Sequence, residues 1–468
     1  MRTPTKLLSS AAIVTASALL LASCSSGGSS SSSATTAASG GANGCTPAAL
    51  NAATSPVQVN FWESAVRANA TVLTQLTNQF NASQSKVHVN LIAQTSYADT
   101  WQKLQAGLTN NQLPDLAMLT DTDTQGAIDT QAFQPVQSCW NGFKYSAGDM
   151  LPRALSFWNV KGTQWAQPWA VSGLVLYYNK QAFAKAGIAN PPTTLAELST
   201  DASKLKAAGQ GGMGLKIDPW QFQTWLATAN QPFVNNDNGR SSRATAVTFN
   251  NSTGLGIFNE LSTMVKSGST QTNSWTGSDV YNNLLGVGSG KFSMTIDTSA
   301  ALGTIESLLP NYPNVTLGVA PFPTAVSNAT GGVFPAGSGL WISKKSSSAT
   351  QAAAWEFTNY LTNTESLTTW AAGTGYIPIR TSAANSSTMT KLYADNPGYK
   401  VAYTQLLSGP ASAATAGPVL GPYDDVNTAV TNAEDALLIN GVAPKTALAN
   451  GANASNQIIT SYNQRVGG

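Results

Sequence analysis

The chain has 468 residues, room for two to three domains at roughly 150 residues each, and its 42% hydrophobic content supports a sizeable buried core. Charged residues make up 10%, against about 25% in an average soluble protein, and 24 basic residues nearly balance 22 acidic ones at a net charge of +2. That balance argues against a nucleic-acid binder, and a single histidine leaves little for imidazole metal sites or serine–histidine relays.

Residues 1–23 read as an export signal, with Arg2 and Lys6 ahead of a short apolar core from Ala11 to Leu21. That core is too short to span a bilayer as a mature helix. The following Leu21-Ala22-Ser23-Cys24 resembles a bacterial lipobox, in which the cysteine is acylated and becomes the first mature residue; the alternative is an ordinary signal peptide with an incidental cysteine. Ser25 to Gly44 holds only Ser, Gly, Ala, Thr and Asn, so residues 24–55 are expected to form a flexible tether, of which twenty residues reach about 25 Å. Cys45 and Cys139 remain, and in an exported protein they most simply form one disulfide, two free buried thiols being the alternative.

The folded body begins with alternating Val57, Val59 and Phe61, a half-buried strand ending at Trp62-Glu63-Ser64. Leu73, Leu76 and Phe80 follow at helical spacing. Val87, Val89 and Leu91 form a second strand, Trp101, Leu104 and Leu108 a second helix, and Leu116, Met118 and Leu119 a third strand. This β-α-β-α-β order predicts an α/β fold with a parallel sheet whose ligands sit beyond the carboxyl ends of the strands, near residues 62–64, Tyr97 and Asp121. His88, between Val87 and Val89, points to the other face as a surface or packing residue. Further on, Gln167 to Lys180 reads as a loop running into a buried strand, followed by a helix from Gln181 to Ala186 closed by Gly187. Thr193 or Thr194 can cap a helix striped by Leu195, Leu198 and Leu205. Strands are expected at 291–297 and 339–343, and mostly helix after Ala349.

Five segments in order, behind the lipobox, carry a family resemblance. They are Phe61-Trp62-Glu63-Ser64; the run from Gln167 to Lys180 with Ala182-Phe183, Ala186-Gly187 and Pro191-Pro192-Thr193-Thr194; residues 290–295; Gly339-Leu340-Trp341-Ile342; and residues 374–379. Together they resemble the extracellular solute-binding proteins of ABC importers, the family that includes maltose-binding and glycerol-3-phosphate-binding proteins. The resemblance implies a two-lobe periplasmic-binding-protein fold of type II, with lobes joined by a multi-crossing hinge and solute held in the cleft. It places lobe one at 56–165 plus 292–345 and lobe two at 166–291 plus 346–468. It implies a non-enzymatic, lipid-anchored monomer without cofactor or metal, working with ABC permease subunits on the outer face of the cell membrane.

The closest pattern resembles the glycerol-3-phosphate-binding branch. Its ligand positions fall on Tyr97, Asp121 (where the branch has Glu), Ser172, Ser299 or its neighbour Thr298, Gly337 and Tyr376. Its phosphate-binding arginine falls on Val419, which removes a bidentate charge-assisted clamp and favours a neutral sugar or polyol over a phosphate. Arg380 is the candidate substitute.

Sugars need carboxylate or amide acceptors and aromatic platforms. Asp121 fits either a ligand contact or an N-cap for the helix after it. Trp169, Trp220, Trp225, Trp275 and Tyr376 are candidate platforms, Trp220 and Tyr376 by position above the others, while Trp341 reads as core. Gly209, Gly211 and Gly214 have dinucleotide-loop spacing in the reverse structural context, and the Asp121–Gly126 segment opens like a calcium loop but has Ala132 at the twelfth position. A competing class is a secreted glycosidase pairing Asp121 with Glu63 or Asp424.

Overall fold

Thirteen strands run in chain order through the described residues of the computed structural model, which are 44–110, 112–274 and 282–467. They are β1 (Val57–Glu63), β2 (Val87–Ala93), β3 (Leu116–Thr120), β4 (Phe133–Gln134), β5 (Asn159–Val160), β6 (Thr163–Gln164), β7 (Gln167–Ser172), β8 (Leu174–Asn179), β9 (Met213–Ile217), β10 (Thr270–Ser274), β11 (Met294–Thr298), β12 (Leu317–Pro321) and β13 (Ala336–Ser343). The signal segment, Cys24, most of the tether and Trp275 lie outside the described residues.

β1 forms for the reason its alternation gives: Val59, Phe61 and Glu63 turn inward and are buried. It pairs in parallel with β2, Val57 opposite Val87, and with β3, Phe61 opposite Leu116. Helix Ala68–Ser83 crosses between β1 and β2 and buries Leu73, Leu76 and Phe80, side chains whose burial stabilises by roughly 1.5–3 kcal/mol each. The first sheet has the order β2-β1-β3-β13-β4, with β7 on the free side of β13. The second has the order β10-β9-β11-β8-β12, and β5 and β6 form a hairpin. Each sheet anchors its own core, giving two lobes.

The sequence Leu174-Val175-Leu176-Tyr177 is apolar at every position because β8 is buried on both faces: Leu174 and Leu176 lie in the second core, Val175 and Tyr177 in the first. The chain passes between cores at several points. Val171 and Leu174 flank one crossing, Val333 and Phe334 another, and the adjacent Val419 and Leu420 a third.

Sheet membership divides the chain differently from the boundaries expected above. β11 and β12 belong to the second sheet, although 292–345 was assigned to lobe one. Helices Ser348–Leu361 and Thr364–Thr374 bury Trp355, Phe357, Leu361 and Trp370 in the first core, although 346–468 was assigned to lobe two. Apolar runs mark that a strand or helix is buried and carry no record of which sheet receives it. Cys45 and Cys139 are joined by a disulfide across 94 residues, with Cα atoms 4.9 Å apart, fastening the start of the folded body to helix Val136–Phe143. Among the described residues no helix is long and apolar enough to cross a membrane.

Candidate functional site

β3 delivers Asp121 to the lobe junction. The strand ends at Thr120 and the chain enters a tight turn, Asp121–Asp123, that leads into helix Thr124–Asp129. Capping is done by the neighbours: Asp123 Oδ2 accepts from the Thr120 backbone N–H at 3.1 Å and from its hydroxyl at 2.9 Å. Asp121 is therefore spared that duty, and its Oδ1 accepts the backbone N–H of Gly337 at 3.1 Å. Gly337 has φ +122°, and a Cβ there would sit 2.0 Å from the Ala170 carbonyl oxygen, so no other residue fits beside β7. Burial pushes the Asp121 carboxyl up to about 7, and the charge of Asp424 acts in the same direction. Asp424 stands at the start of helix Tyr423–Leu438, itself raised by burial against a lowering contribution from the Thr122 hydroxyl.

A second group gathers at the β7–β8 crossing. The Ser299 backbone N–H donates to the Gly173 carbonyl at 2.9 Å, and the Gly173 N–H meets Ser299 Oγ at 3.5 Å. Thr298 accepts through Oγ1 from the Ala300 N–H at 3.2 Å, and its carbonyl accepts the Tyr177 hydroxyl at 2.8 Å. Gly375 ends helix Thr364–Thr374 at φ 98°, with its would-be Cβ 2.5 Å from the Ser299 carbonyl oxygen, which sets Tyr376 beside this crossing. Ile377 then donates to Val171 at 2.8 Å. The two groups are joined by β7–β13 pairing, where Ala336 faces Ser172 and Gly337 faces Val171. The fold thus brings Asp121, Ser172, Ser299, Thr298, Gly337 and Tyr376 along one seam. Tyr97 opens helix Tyr97–Asn110 and packs half-buried on the first core.

The aromatic candidates separate by burial. Trp169, Trp370 and Tyr376 stack in series, with centroids 4.4 Å and 5.1 Å apart; the two tryptophans are fully buried, and Tyr376 ends the stack. Trp169 is core, and so is Trp225, whose indole donates to the Pro323 carbonyl at 3.1 Å. Trp220 differs. Asp218 caps its helix by accepting the Trp220 N–H at 3.0 Å, its half-buried ring packs against both cores, and its indole Nε1, like those of Trp158, Trp169, Trp341 and Trp370, has no hydrogen-bond partner among the described residues.

The candidate cations are occupied. Arg380 donates to Asp149 at 2.8 Å, to the Thr362 carbonyl at 2.6 Å and to the Tyr145 hydroxyl, so the expected substitute for the missing arginine holds the first lobe together instead. Val419 is buried in the first core, its N–H donating to the Asn238 carbonyl at 2.9 Å. Arg240 went unnoticed in the sequence: its guanidinium lies against the carbonyls of Phe157, Ala416 and Gly417, and burial lowers its pKa to about 10. Asn236, Asp237, Asn238 and Gly239, four successive left-handed residues, deliver it there. The Asn-Asp-Asn-Gly composition was the available signal.

Of the paired-carboxylate candidates, Glu63 is buried at the end of β1, raised by burial while accepting the Ala65 N–H at 2.7 Å; Asp424 is the one whose charge acts on Asp121. His88 is exposed on β2. Among the described residues no group of three or more His, Cys, Asp or Glu side chains is placed to hold a metal ion. A groove of about 360 Å³ lies between helices Tyr423–Leu438 and Pro444–Val466, lined largely by Ala, Asn and Thr, and contains none of the seam residues.

Two α/β lobes with several crossings and a polar seam between them define a solute-binding protein. A family profile described as bacterial extracellular solute-binding protein matches residues 75–401, and the chain belongs to that family. The sn-glycerol-3-phosphate-binding periplasmic protein of Yersinia pseudotuberculosis is 26% identical over 423 residues, covering 88% of this chain and 94% of the relative. Among solved structures, UgpB from Mycobacterium tuberculosis with glycerophosphocholine aligns at TM-score 0.74 and 19% identity, covering 88% of this chain and 100% of that one. The cyclic α-maltosyl-1,6-maltose binding protein of Arthrobacter globiformis aligns at TM-score 0.70 and 22% identity, covering 87% of this chain and 100% of that one.

Proposed function

We propose that this chain is the receptor of an ABC importer, that it captures an uncharged, hydroxyl-rich solute between its lobes, and that it passes the solute to permease subunits. The observation that carries the solute class is the charge of the seam. Asp121, held by Gly337 and joined by Asp424, supplies acceptors for hydroxyls, while Val419 replaces the arginine a phosphate would need and both Arg240 and Arg380 are committed to protein oxygens. Tyr376 and Trp220 supply apolar faces and a free indole donor. Tyr97, Ser172, Thr298, Ser299 and Gly337 complete the proposed contact set. Closure of the lobes on the solute is the signal the permease reads.

The sequence further supports export and acylation at Cys24, with the body working as a monomer at the membrane surface. Mass analysis of the membrane-extracted protein tests this, since a diacylglyceryl group must disappear in Cys24→Ser.

A second reading, a receptor for glycerol-3-phosphate or a glycerophosphodiester, has support in the names of the relatives. A thermal-shift screen over sugars, polyols, glycerol-3-phosphate and glycerophosphodiesters, followed by calorimetry, decides between the two. The same incubations, assayed for hydrolysis products, test the glycosidase alternative.

A further inference from the structure

The helix that starts just past Asp121 ends at Asp129, and this carboxylate accepts from donors of the other lobe and from one on its own helix. Arg243 approaches it in a two-pronged geometry, Nη1 to Oδ2 at 2.7 Å and Nη2 to Oδ1 at 2.9 Å. The Tyr462 hydroxyl donates to Oδ2 at 2.8 Å, and Gln125, one turn back on the same helix, donates to Oδ1 at 2.8 Å. Asp129 belongs to the first lobe through Ala127 and Ile128, which pack in or against the first core. Arg243 sits between Val234 on one side and Ala244 and Val247 on the other, all in the second core. Tyr462 is on helix Pro444–Val466, anchored in the second core by Ala447, Leu448, Ala452 and Ile459. The two donors are also tied to each other, since Asn463 Nδ2 donates to the Ala244 carbonyl at 2.9 Å.

Every bond from Arg243 and Tyr462 to Asp129 runs between elements anchored in different cores, beside the Val419–Leu420 crossing, where Gly421 lies against the Tyr462 ring. Bidentate guanidinium–carboxylate contacts with low solvent exposure are the strong class of ion pair, and the Asp129 side chain is 9% exposed. Arg243 is raised by Asp129, and Tyr462 is held protonated by burial and by the same carboxylate. Asp121 and Asp129 share a rigid turn and helix, so the seam and this contact move together.

We infer that Asp129, Arg243 and Tyr462 form an inter-lobe latch that sets the closed-to-open ratio, and with it the residence time of the solute, without touching the solute. The inference rests on the reading that the lobes close on a ligand, and Arg243 and Tyr462 are positioning residues in it. Hydrogen bonds to charged groups of this kind make the closed-to-open ratio roughly ten-fold or more higher than without them.

The test uses the full chain labelled with a dye pair, one dye on each lobe, in buffer without solute, so it stands whether or not a solute has been found. Arg243→Ala and Asp129→Asn are expected to shift the transfer-efficiency distribution towards the open state by roughly ten-fold or more in population, with unchanged far-ultraviolet circular dichroism. Tyr462→Phe, which keeps the ring packing, gives a smaller shift in the same direction. Arg243→Lys restores closure only in part, because a point charge replaces the fork. The charge exchange Asp129→Arg with Arg243→Asp recovers closure relative to either single change. Distributions for Arg243→Ala, Asp129→Asn and Tyr462→Phe that superimpose on that of the unaltered protein would overturn the latch. A failure of the receptor reading is separate and shows as no binding by the unaltered protein to any solute in the screen.

Discussion

Asp121 Oδ1 and the backbone N–H of Gly337 lie 3.1 Å apart, linking the carboxyl end of β3 to the start of β13 at the edge where the chain crosses between lobes. One carboxylate oxygen is fixed by the backbone, and the fixing residue is a glycine that cannot be replaced without moving β7.

The first prediction follows from that glycine. Gly337→Ala puts a methyl group 2.0 Å from the Ala170 carbonyl oxygen at φ +122°, so strain and overpacking act together. Unfolding free energy falls by roughly 2–5 kcal/mol, read by denaturant titration. An unchanged midpoint contradicts the geometry.

Asp121 also predicts a pH dependence. Its folded pKa is about 7 against an ordinary 3.8, so the stability it contributes is full below about pH 4 and is lost as pH rises through about 7. Asp123 and Glu434, raised well above the ordinary range by burial, extend the loss to higher pH. Asp149 acts oppositely. Though partly desolvated, it is held below the ordinary range by Ser382 and Arg380, so its contribution is lost on acidification. Melting temperature measured across pH should fall from mildly acidic to alkaline conditions, and Asp121→Asn should flatten the part of that fall centred near neutrality. A variant profile parallel to the original refutes the assignment.

Much of this architecture could be read from the residues. The period-two run at Val57–Phe61, the stripe Leu73, Leu76 and Phe80, and the cap at Thr194, which accepts the Glu197 N–H at 3.1 Å, report local physics and stand where they were expected. Sheet membership was less legible. β11 reads as a strand on its own hydrophobicity, yet its place against β8 depends on a pairing that spans more than a hundred residues. The site divides in the same way. Asp121 and Tyr376 follow from strand ends and a glycine-flanked turn, whereas Asp424, Arg240 and Arg243 act through folding that brings residues of the last and middle thirds onto the first. The partners of Arg380 were not legible, because nothing local shows Asp149 waiting for it.

The disulfide gives a third prediction. Closing a loop across 94 residues constrains the unfolded chain, and the Cys45→Ser, Cys139→Ser double variant should lose roughly 3–5 kcal/mol. Calorimetric melting with and without reductant checks it: the unaltered protein should shift down with reductant to the variant's temperature, and the variant should not move.

Trp220 supplies a fourth. Its buried Nε1 has no partner among the described residues, and we expect a solute acceptor to provide one. Trp220→Phe keeps most of the packing and removes the donor, so the dissociation constant should rise roughly ten-fold with little change in melting temperature. Equal affinities would assign the ring to packing alone.

The central claim is that the seam binds an uncharged, hydroxyl-rich solute through Asp121 and Tyr376. Titration calorimetry of the unaltered protein, Asp121→Ala and Tyr376→Ala against the sugar or polyol that gives the largest thermal shift tests it most directly. The account predicts saturable binding with the solute recovered intact, and a dissociation constant raised at least ten-fold in both variants, measured at a temperature where circular dichroism shows both folded. Tight binding of glycerol-3-phosphate with no response to any neutral solute, or unchanged affinity in both variants, would contradict it.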